Sequence, residues 1–382
     1  MRQSEKLSES ETSLGGSNDA PHLNEIEVSV FGPGYGESIL IHVGDNEWFI
    51  VDSCVTPSKE PAPLVYLRQI GVDPAISVRQ VVATHWHDDH VKGIAKTFRA
   101  CSSSEIVFSE ALKPNEFLTI VEAYSKRGMM ESSGVQELGE IIETLKERKK
   151  SPKFAIADRC LWKNAESALG SVEVHSLSPS DASIVLSKME IANLVPHEKR
   201  PKERVIAQGP NHTAVVLWIK IQDIAILLGS DLENSTNTSR GWIAILDSTT
   251  KPDGRAQIMK IAHHGSLNGD NLQIWTDMLT SDPIAVLTPF VNGNVYLPTE
   301  NDCARISSRT SNAYATAPPL VKKKKGRPQV VEKMLAETVI SIREIAYSTG
   351  QVRLRLKPTE KAIWDVALLG DAKRVETIYP LR

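Results

Sequence analysis

The sequence is poor in cysteine and shows no pairing of it. Cys54, Cys101, Cys160 and Cys303 are far apart and form no Cys-x-x-Cys unit, so they read as reduced thiols and not as a disulfide framework. Long apolar runs are absent. No uninterrupted stretch approaches the roughly 20 residues that a membrane helix needs. Met1 to Pro21 is rich in Ser, Glu, Gly and Asn and has no apolar centre of the kind a signal peptide or anchor requires. An excess of charge of one sign is lacking as well. The net charge is −3 over 382 residues, so no global field recruits nucleic acid, and any such binding must be local. A Walker loop and a dinucleotide fingerprint are both missing, and no Ser or Cys stands with a positioned base. The expectation is a soluble, cytoplasmic protein that does not span a membrane. A hydrophobic fraction of 41% is ample for a core, and the length allows one large domain with insertions, or two domains. No internal repeat is found.

What the sequence has in concentration is histidine beside carboxylate. Ala83-Thr84-His85-Trp86-His87-Asp88-Asp89-His90 follows directly on the apolar run Val78 to Ala83 and packs three histidines and two carboxylates into six residues. A strand ending in a tight turn projects His85 and His87 to one side, because strand side chains repeat with period two. Asp89 and His90 can then face the same point from the turn. Neutral imidazole and carboxylate suit zinc, manganese or iron. A solvated polar turn is the alternative, and the spacing is far more specific than a lone histidine pair.

Along the chain, residues 1–24 are expected to be a disordered tail, because they cannot bury enough apolar surface to offset ordering. Ile26, Val28 and Val30 alternate with polar residues and mark a half-buried strand. Ser38 to Val43 and Trp48 to Val51 read as two more strands around the hairpin signal Gly44-Asp45-Asn46, the last ending at Asp52. Leu64 to Gly71 reads as a helix, Val78 to Ala83 as the strand bearing the cluster, and Ile94 to Arg99 as a helix start. Glu105 to Ser109 reads as a short strand. Residues 110–170 look like a mostly helical insertion, with helical spacing over Glu116–Arg127 and Ser133–Lys150. The basic run Lys146 to Lys150 suits a helix C-terminus. Val172 to Leu177 is expected to resume as a strand, and 180–210 as a helix and a long loop.

A second constellation lies beyond. Asn211-His212-Thr213 leads into an expected strand Ala214–Ile219. The strand Ile224–Leu228 ends in Gly229-Ser230-Asp231, and Gln257–Ile261 ends in Ala262-His263-His264-Gly265-Ser266. Successive elements that each begin or end with a candidate ligand are how a sheet rim builds a metal site. Strands are also read at Ile284–Thr288, Ala313–Thr316 and Gln351–Leu356. The basic insertion 318–345 contains Lys322-Lys323-Lys324-Lys325-Gly326-Arg327-Pro328, which resembles an AT-hook core of the kind that lies in the minor groove. The plainer reading, and the one preferred, is a solvated loop that binds nothing specific. Thr359 to Ile378 reads as an amphipathic helix pair within the C-terminal segment 358–382.

The His-x-His-x-Asp-His motif, the glycine turn Gly32 to Gly36 before Glu37, and His263-His264-Gly265-Ser266 together resemble the metallo-β-lactamase superfamily. The likeness is greatest to the soluble domain of ComEC type, whose turn usually carries Asp where Glu37 stands. The resemblance covers roughly residues 25–357 outside the insertions. It implies an α/β fold, a four-layer αββα metallo-β-lactamase sandwich with a helical insertion, and two divalent metal ions, Zn2+ or Mn2+. Carried over residue by residue, His85, His87 and His212 would hold the first metal, and Asp89, His90 and His264 the second, with Asp231 bridging. The ComEC-type pattern often has Asn where His212 stands. Asp89 would also act on the nucleophile, and His263 would donate a proton to the leaving group or bind substrate. Asp52 is expected to orient a ligand, and Asp88 to be a solvated neighbour.

Such a site predicts hydrolysis, since paired cations make hydroxide available at neutral pH. The ComEC-type likeness favours a phosphodiester, with a nucleic acid or nucleotide as substrate. The alternatives are hydrolysis of a small molecule, a cyclic nucleotide or a lactam-like amide, and a non-catalytic DNA-binding or protein-partner component, as in a bacterial antiviral system.

Overall fold

The computed structural model describes residues 19–32, 36–113, 133–194, 210–319, 350–358 and 363–379. Within them, two eight-stranded sheets face one another. The first contains β1 (Ile26–Gly32), β2 (Ser38–Val43), β3 (Trp48–Val51), β4 (Val78–Ala83), β5 (Glu105–Ser109) and β6 (Lys153–Ala155). The second contains β7 (Arg159–Ser167), β8 (Gly170–Ser176), β9 (Leu217–Ile221), β10 (Ile224–Leu228), β11 (Ala256–Lys260) and β12 (Leu279–Leu287). A small hairpin follows, β13 (Phe290–Asn292) and β14 (Val295–Leu297), then β15 (Ala313–Ala315), β16 (Gly350–Leu356), β17 (Asp365–Gly370) and β18 (Lys373–Arg374). The strand orders are β17-β16-β1-β2-β3-β4-β5-β6 and β18-β15-β12-β11-β10-β9-β8-β7.

The period-two pattern of the strands sorts their side chains into distinct apolar layers. Ile39, Ile41, Val51 and Val82 of the first sheet meet Val174, Leu217, Ile219, Ile226 and Ile258 of the second. Their sequence neighbours Leu40, Ile50 and Val81 point the other way. They pack on Leu64 and Leu67 of the Ala62–Gln69 helix, Phe98 of the Ile94–Ala100 helix, and Leu138 and Ile141 of the Ser133–Arg148 helix. On the far side, Trp218, Leu227 and Met259 pack on Trp242, Ile274 and Ile306. Helices, sheet, sheet, helices: this is the expected αββα sandwich, read from which residue buries against which.

Four expectations are corrected. Residues 153–170 are not part of a helical insertion. Lys153–Ala155 adds an edge to the first sheet, and Arg159–Ser167 adds one to the second. Seven of the nine residues of that second edge are at least partly exposed, so the strand carries little hydrophobic alternation. The C-terminal segment is not a helix pair. Asp365–Gly370 pairs antiparallel with β16, and Lys373–Arg374 pairs with β15, so one short turn ties the two sheets together. Residues 19–24 are not loose. The Asp45 N–H donates to Leu23 O (2.8 Å), and Arg355 Nη2 donates to Asp19 O (2.7 Å). The strand after His212 begins at Leu217 instead of Ala214. The rest of the N-terminal tail, the Glu116–Arg127 helix and the basic run Lys322–Arg327 lie outside the described residues.

Candidate metal centre

The site lies where strands of both sheets end. After β3, Asp52 takes a left-handed conformation (φ 57°), and β4 runs out through Thr84 into His85. A single turn of helix, Asp88–Val91, starts just after His87 and presents Asp89 and His90. From the other sheet, β10 ends before Ser230 (φ 45°) and Asp231, and β11 ends before His263 and His264 (φ 46° and 55°). Consecutive left-handed non-glycine residues are costly. They are spent here on turning side chains into one point.

Donor atoms of Asp89, His90, Asp231 and His264 lie within 4.8 Å of one another, as do those of His85, His87 and Asp231. Asp231 thus belongs to both groups. His264 Nε2 is 3.2 Å from Asp89 Oδ2 and 3.4 Å from Asp231 Oδ2, and His90 Nε2 is 3.3 Å from Asp231 Oδ2. His85 Nε2 and His87 Nδ1 are 3.2 Å apart. His85, His90, Asp231 and His264 are all buried.

Burial of so many ionisable groups sets their protonation. Burial pushes His85 and His87 down, and neighbouring imidazoles add to this for His85, so both favour the neutral form that ligates metal. Burial also works against a charged His264, but the carboxylates of Asp231 and Asp89 outweigh it and raise the group to about 9. His90 is raised in the same way by Asp231, Glu37, Asp89 and Asp52. Burial opposes ionisation of Asp89 and Asp231, yet the facing histidines hold both well below the usual carboxylate range.

The structure brings together His85, His87, Asp89, His90, Asp231 and His264, and does not bring His212. The Pro210–Thr213 turn is a short 3-10 helix. It directs His212 Nε2 to within 3.5 Å of Glu190 Oε2, into a small recess with Leu177, Ser178 and Leu232. Asn211 instead faces the rim. Its Nδ2 lies 2.8 Å from Glu233 Oε1 and 3.3 Å from His263 Nε2. His263 sits beside the cluster and outside it, with Nδ1 2.9 Å from Asn268 Oδ1 and 3.2 Å from Glu233 Oε1. Asp88 is not merely solvated: the Gly134 N–H donates to its Oδ1 (2.8 Å). Asp52 takes the orienting place expected of it. It accepts from Thr84 N–H (2.8 Å) and Thr84 Oγ1 (2.7 Å), and its Oδ2 is 2.7 Å from His90 Nδ1.

Sequence reasoning assigned no role at the site to Lys260, Thr288, Glu233 or Asn211, and noted Glu37 only as a departure from a pattern. Glu37 is carried to the cluster by Gly36 (φ 99°), where a Cβ would stand 2.9 Å from Asp89 O. The Glu37 N–H donates to that same carbonyl (2.9 Å).

Residues 31–129 match a sequence model of the Metallo-beta-lactamase superfamily. No curated protein matches the chain. Among solved structures it is similar to the metallo-beta-lactamase fold protein YhfI from Bacillus subtilis, at 14% identity and TM-score 0.32 over 62% of this chain and 70% of that one. It is also similar to MEM-A1, a subclass B3 metallo-beta-lactamase from a soil metagenome library, at 14% identity and TM-score 0.33 over 65% and 83%. A third likeness is to a B3 metallo-beta-lactamase with an active site glutamic acid, at 13% identity and TM-score 0.33 over 84% and 90%. The matched segment runs from β1 past β5 and holds every candidate donor from His85 to His90, so the similarity to the metallo-beta-lactamase superfamily falls on the part of the chain that carries the histidine cluster.

Proposed function

We propose that this chain is a metal-dependent hydrolase acting on phosphodiesters, with a nucleic acid or nucleotide as substrate. The observation that carries the reading is the pair of donor groups meeting at Asp231. The residues fit divalent cations on two grounds. Asp231 Oδ1 is buried and accepts no hydrogen bond among the described residues, which is costly unless something else satisfies it. The donors are imidazole and carboxylate, suited to Zn2+ or Mn2+. His85 and His87 would hold one ion and Asp89, His90 and His264 another, with Asp231 reaching both. His212 has no part in this set. When bound, such cations supply Lewis acidity and make hydroxide available near neutral pH.

The chain's own residues do the rest. Asp89, kept ionised by His90 and His264, orients the nucleophile and accepts its proton. His263, half-buried beside Glu233, is placed to pass a proton to the leaving oxygen. The likeness of His263-His264-Gly265-Ser266 to the ComEC-type pattern favours phosphorus over carbon as the centre attacked.

The test is incubation of purified protein with labelled single- and double-stranded DNA and RNA, bis(p-nitrophenyl) phosphate and a β-lactam panel, with Mn2+ or Zn2+. Diester cleavage that disappears in His87→Ala is expected. Cleavage of β-lactams alone, or no turnover above His87→Ala, overturns the phosphodiester reading.

A further inference from the structure

Behind His264, on the side away from Asp89 and Asp231, lies a buried polar chain that starts at a lysine. Lys260 Nζ is 2.5 Å from Glu37 Oε2, and both side chains are only 1% exposed. Lysine is almost never buried this fully unless it is paired. Thr288 Oγ1 donates to the same Glu37 oxygen (2.5 Å). The backbone oxygen of Thr288 is 3.1 Å from His264 Nδ1, and its hydroxyl oxygen is 3.3 Å from that nitrogen. Three parts of the fold meet here: the turn after β1, the end of β11 and the residue following β12.

We propose that Lys260, Glu37 and Thr288 are positioning residues that fix which nitrogen of His264 is offered to the metal centre. The inference rests on the reading of that centre given above. The logic is one of hydrogen-bond polarity. The Lys260 ammonium can only donate, so Glu37 faces it as a carboxylate, which can only accept. The Thr288 hydroxyl proton is then committed to Glu37, and toward His264 its oxygen can only accept. The Thr288 carbonyl is likewise an acceptor. His264 Nδ1 meets two acceptors and must carry hydrogen, which leaves Nε2, facing Asp89 and Asp231, as the nitrogen that would give up its proton to a bound cation. A ligating histidine is commonly oriented by such a partner on its other nitrogen, and loss of the partner typically weakens metal binding about 10–100-fold. Here the partner is itself set by a buried cation two links away.

The experiment measures Zn2+ affinity by chelator competition on substrate-free protein, with thermal stability and circular dichroism as fold controls. Thr288→Val keeps the carbonyl and the shape but removes the hydroxyl, and Thr288→Ser restores it. The double variant Glu37→Gln/Lys260→Met removes both buried charges at similar volume, a change that folds tolerate. Thr288→Val and the double variant are expected to stay folded and to bind one equivalent of Zn2+ about tenfold or more weakly, with Thr288→Ser like wild type. In 15N-histidine spectra of the Zn2+-loaded protein, the Nδ1–H form of His264 is expected in wild type and eroded in the double variant. Folded variants with wild-type affinity and tautomer overturn the inference and leave the metal centre standing. Should the double variant not fold, the Thr288→Val and Thr288→Ser comparison decides alone. A wild-type chain that binds no Zn2+ or Mn2+ overturns the centre itself.

Discussion

Asp52 Oδ2 stands 2.7 Å from His90 Nδ1, and the ring's other nitrogen thereby faces Asp231 Oδ2 at 3.3 Å. Asp52 is itself fixed by two bonds from Thr84, the residue before His85, so one carboxylate aims a donor and anchors the loop that carries two more. Asp52→Asn is the discriminating change. Asparagine tolerates the left-handed backbone at this position and keeps an oxygen for the Thr84 N–H, but its amide group cannot accept from His90 Nδ1. The expected outcome is a folded protein whose divalent-cation affinity falls about tenfold or more, measured by chelator competition. Asp52→Ala adds backbone strain and the loss of both Thr84 bonds, and is expected to lower thermal stability as well.

His264 gives a pH dependence with a definite sign in the metal-free protein. Its folded-state value is raised to about 9 from 6.5, because the attraction of Asp231 and Asp89 exceeds the cost of burial. A group raised on folding contributes stability that is fully present below its unfolded value and is lost as pH climbs to the folded one. The stability of the chelator-treated protein is therefore expected to decline between pH 6.5 and 9, by on the order of 3 kcal/mol from this group. Cation affinity is expected to rise over the same window, since the ion must displace that proton. Denaturant melts with and without Zn2+ across this range check both, and a flat metal-free profile refutes the charge state assigned to His264.

Much of this architecture is legible from the residues, and the failures have physical causes. Strands such as Ile26–Gly32 and Val78–Ala83 declare themselves because one face of each packs on a helix layer and the other on a sheet. The ligand-type residues are legible because strand ends repeat the same chemistry three times. The run around Val366 to Leu369 is not, because a short apolar stretch carries no period long enough to separate helix from strand. Only pairing with Gly350–Leu356 decides it. Lys260 reads as an ordinary strand-end lysine, since nothing local reveals that Glu37, over 200 positions earlier, is its buried partner. His212 is misleading for a finer reason. In a short 3-10 turn, one residue of offset exchanges the side chain that faces the rim for the one that faces away.

That offset can be tested directly. His212 lies against Glu190, and it is Asn211 that meets His263 and Glu233. His212→Ala is expected to retain wild-type metal content and diester turnover within about threefold, whereas His85→Ala loses an equivalent of metal. Element analysis of dialysed protein distinguishes the two. Loss of metal in His212→Ala would restore this histidine to the ligand set.

The helix Ser133–Arg148 is expected to act on the site through its first turn. The Gly134 N–H donates to Asp88 Oδ1, and Glu137 accepts from the Gly93 N–H (2.7 Å) and the Ala95 N–H (2.9 Å), at the start of the helix that follows the histidine loop. A Cβ at residue 134 would stand 2.6 Å from the Trp86 carbonyl oxygen, between His85 and His87. That obstacle is backbone, so it cannot swing aside as a flexible side chain would. Gly134→Ala is therefore expected to displace the His85–His87 segment and weaken cation binding at least tenfold, even though alanine favours a helix by about 1 kcal/mol. Glu137→Ala removes only the cap on the neighbouring helix, and is expected to cost about 1 kcal/mol in stability with little change in affinity. Paired melts and Zn2+ titrations of the two variants separate displacement of the loop from loss of the cap, and a Gly134→Ala protein with wild-type affinity would show that the helix start does not govern the metal centre.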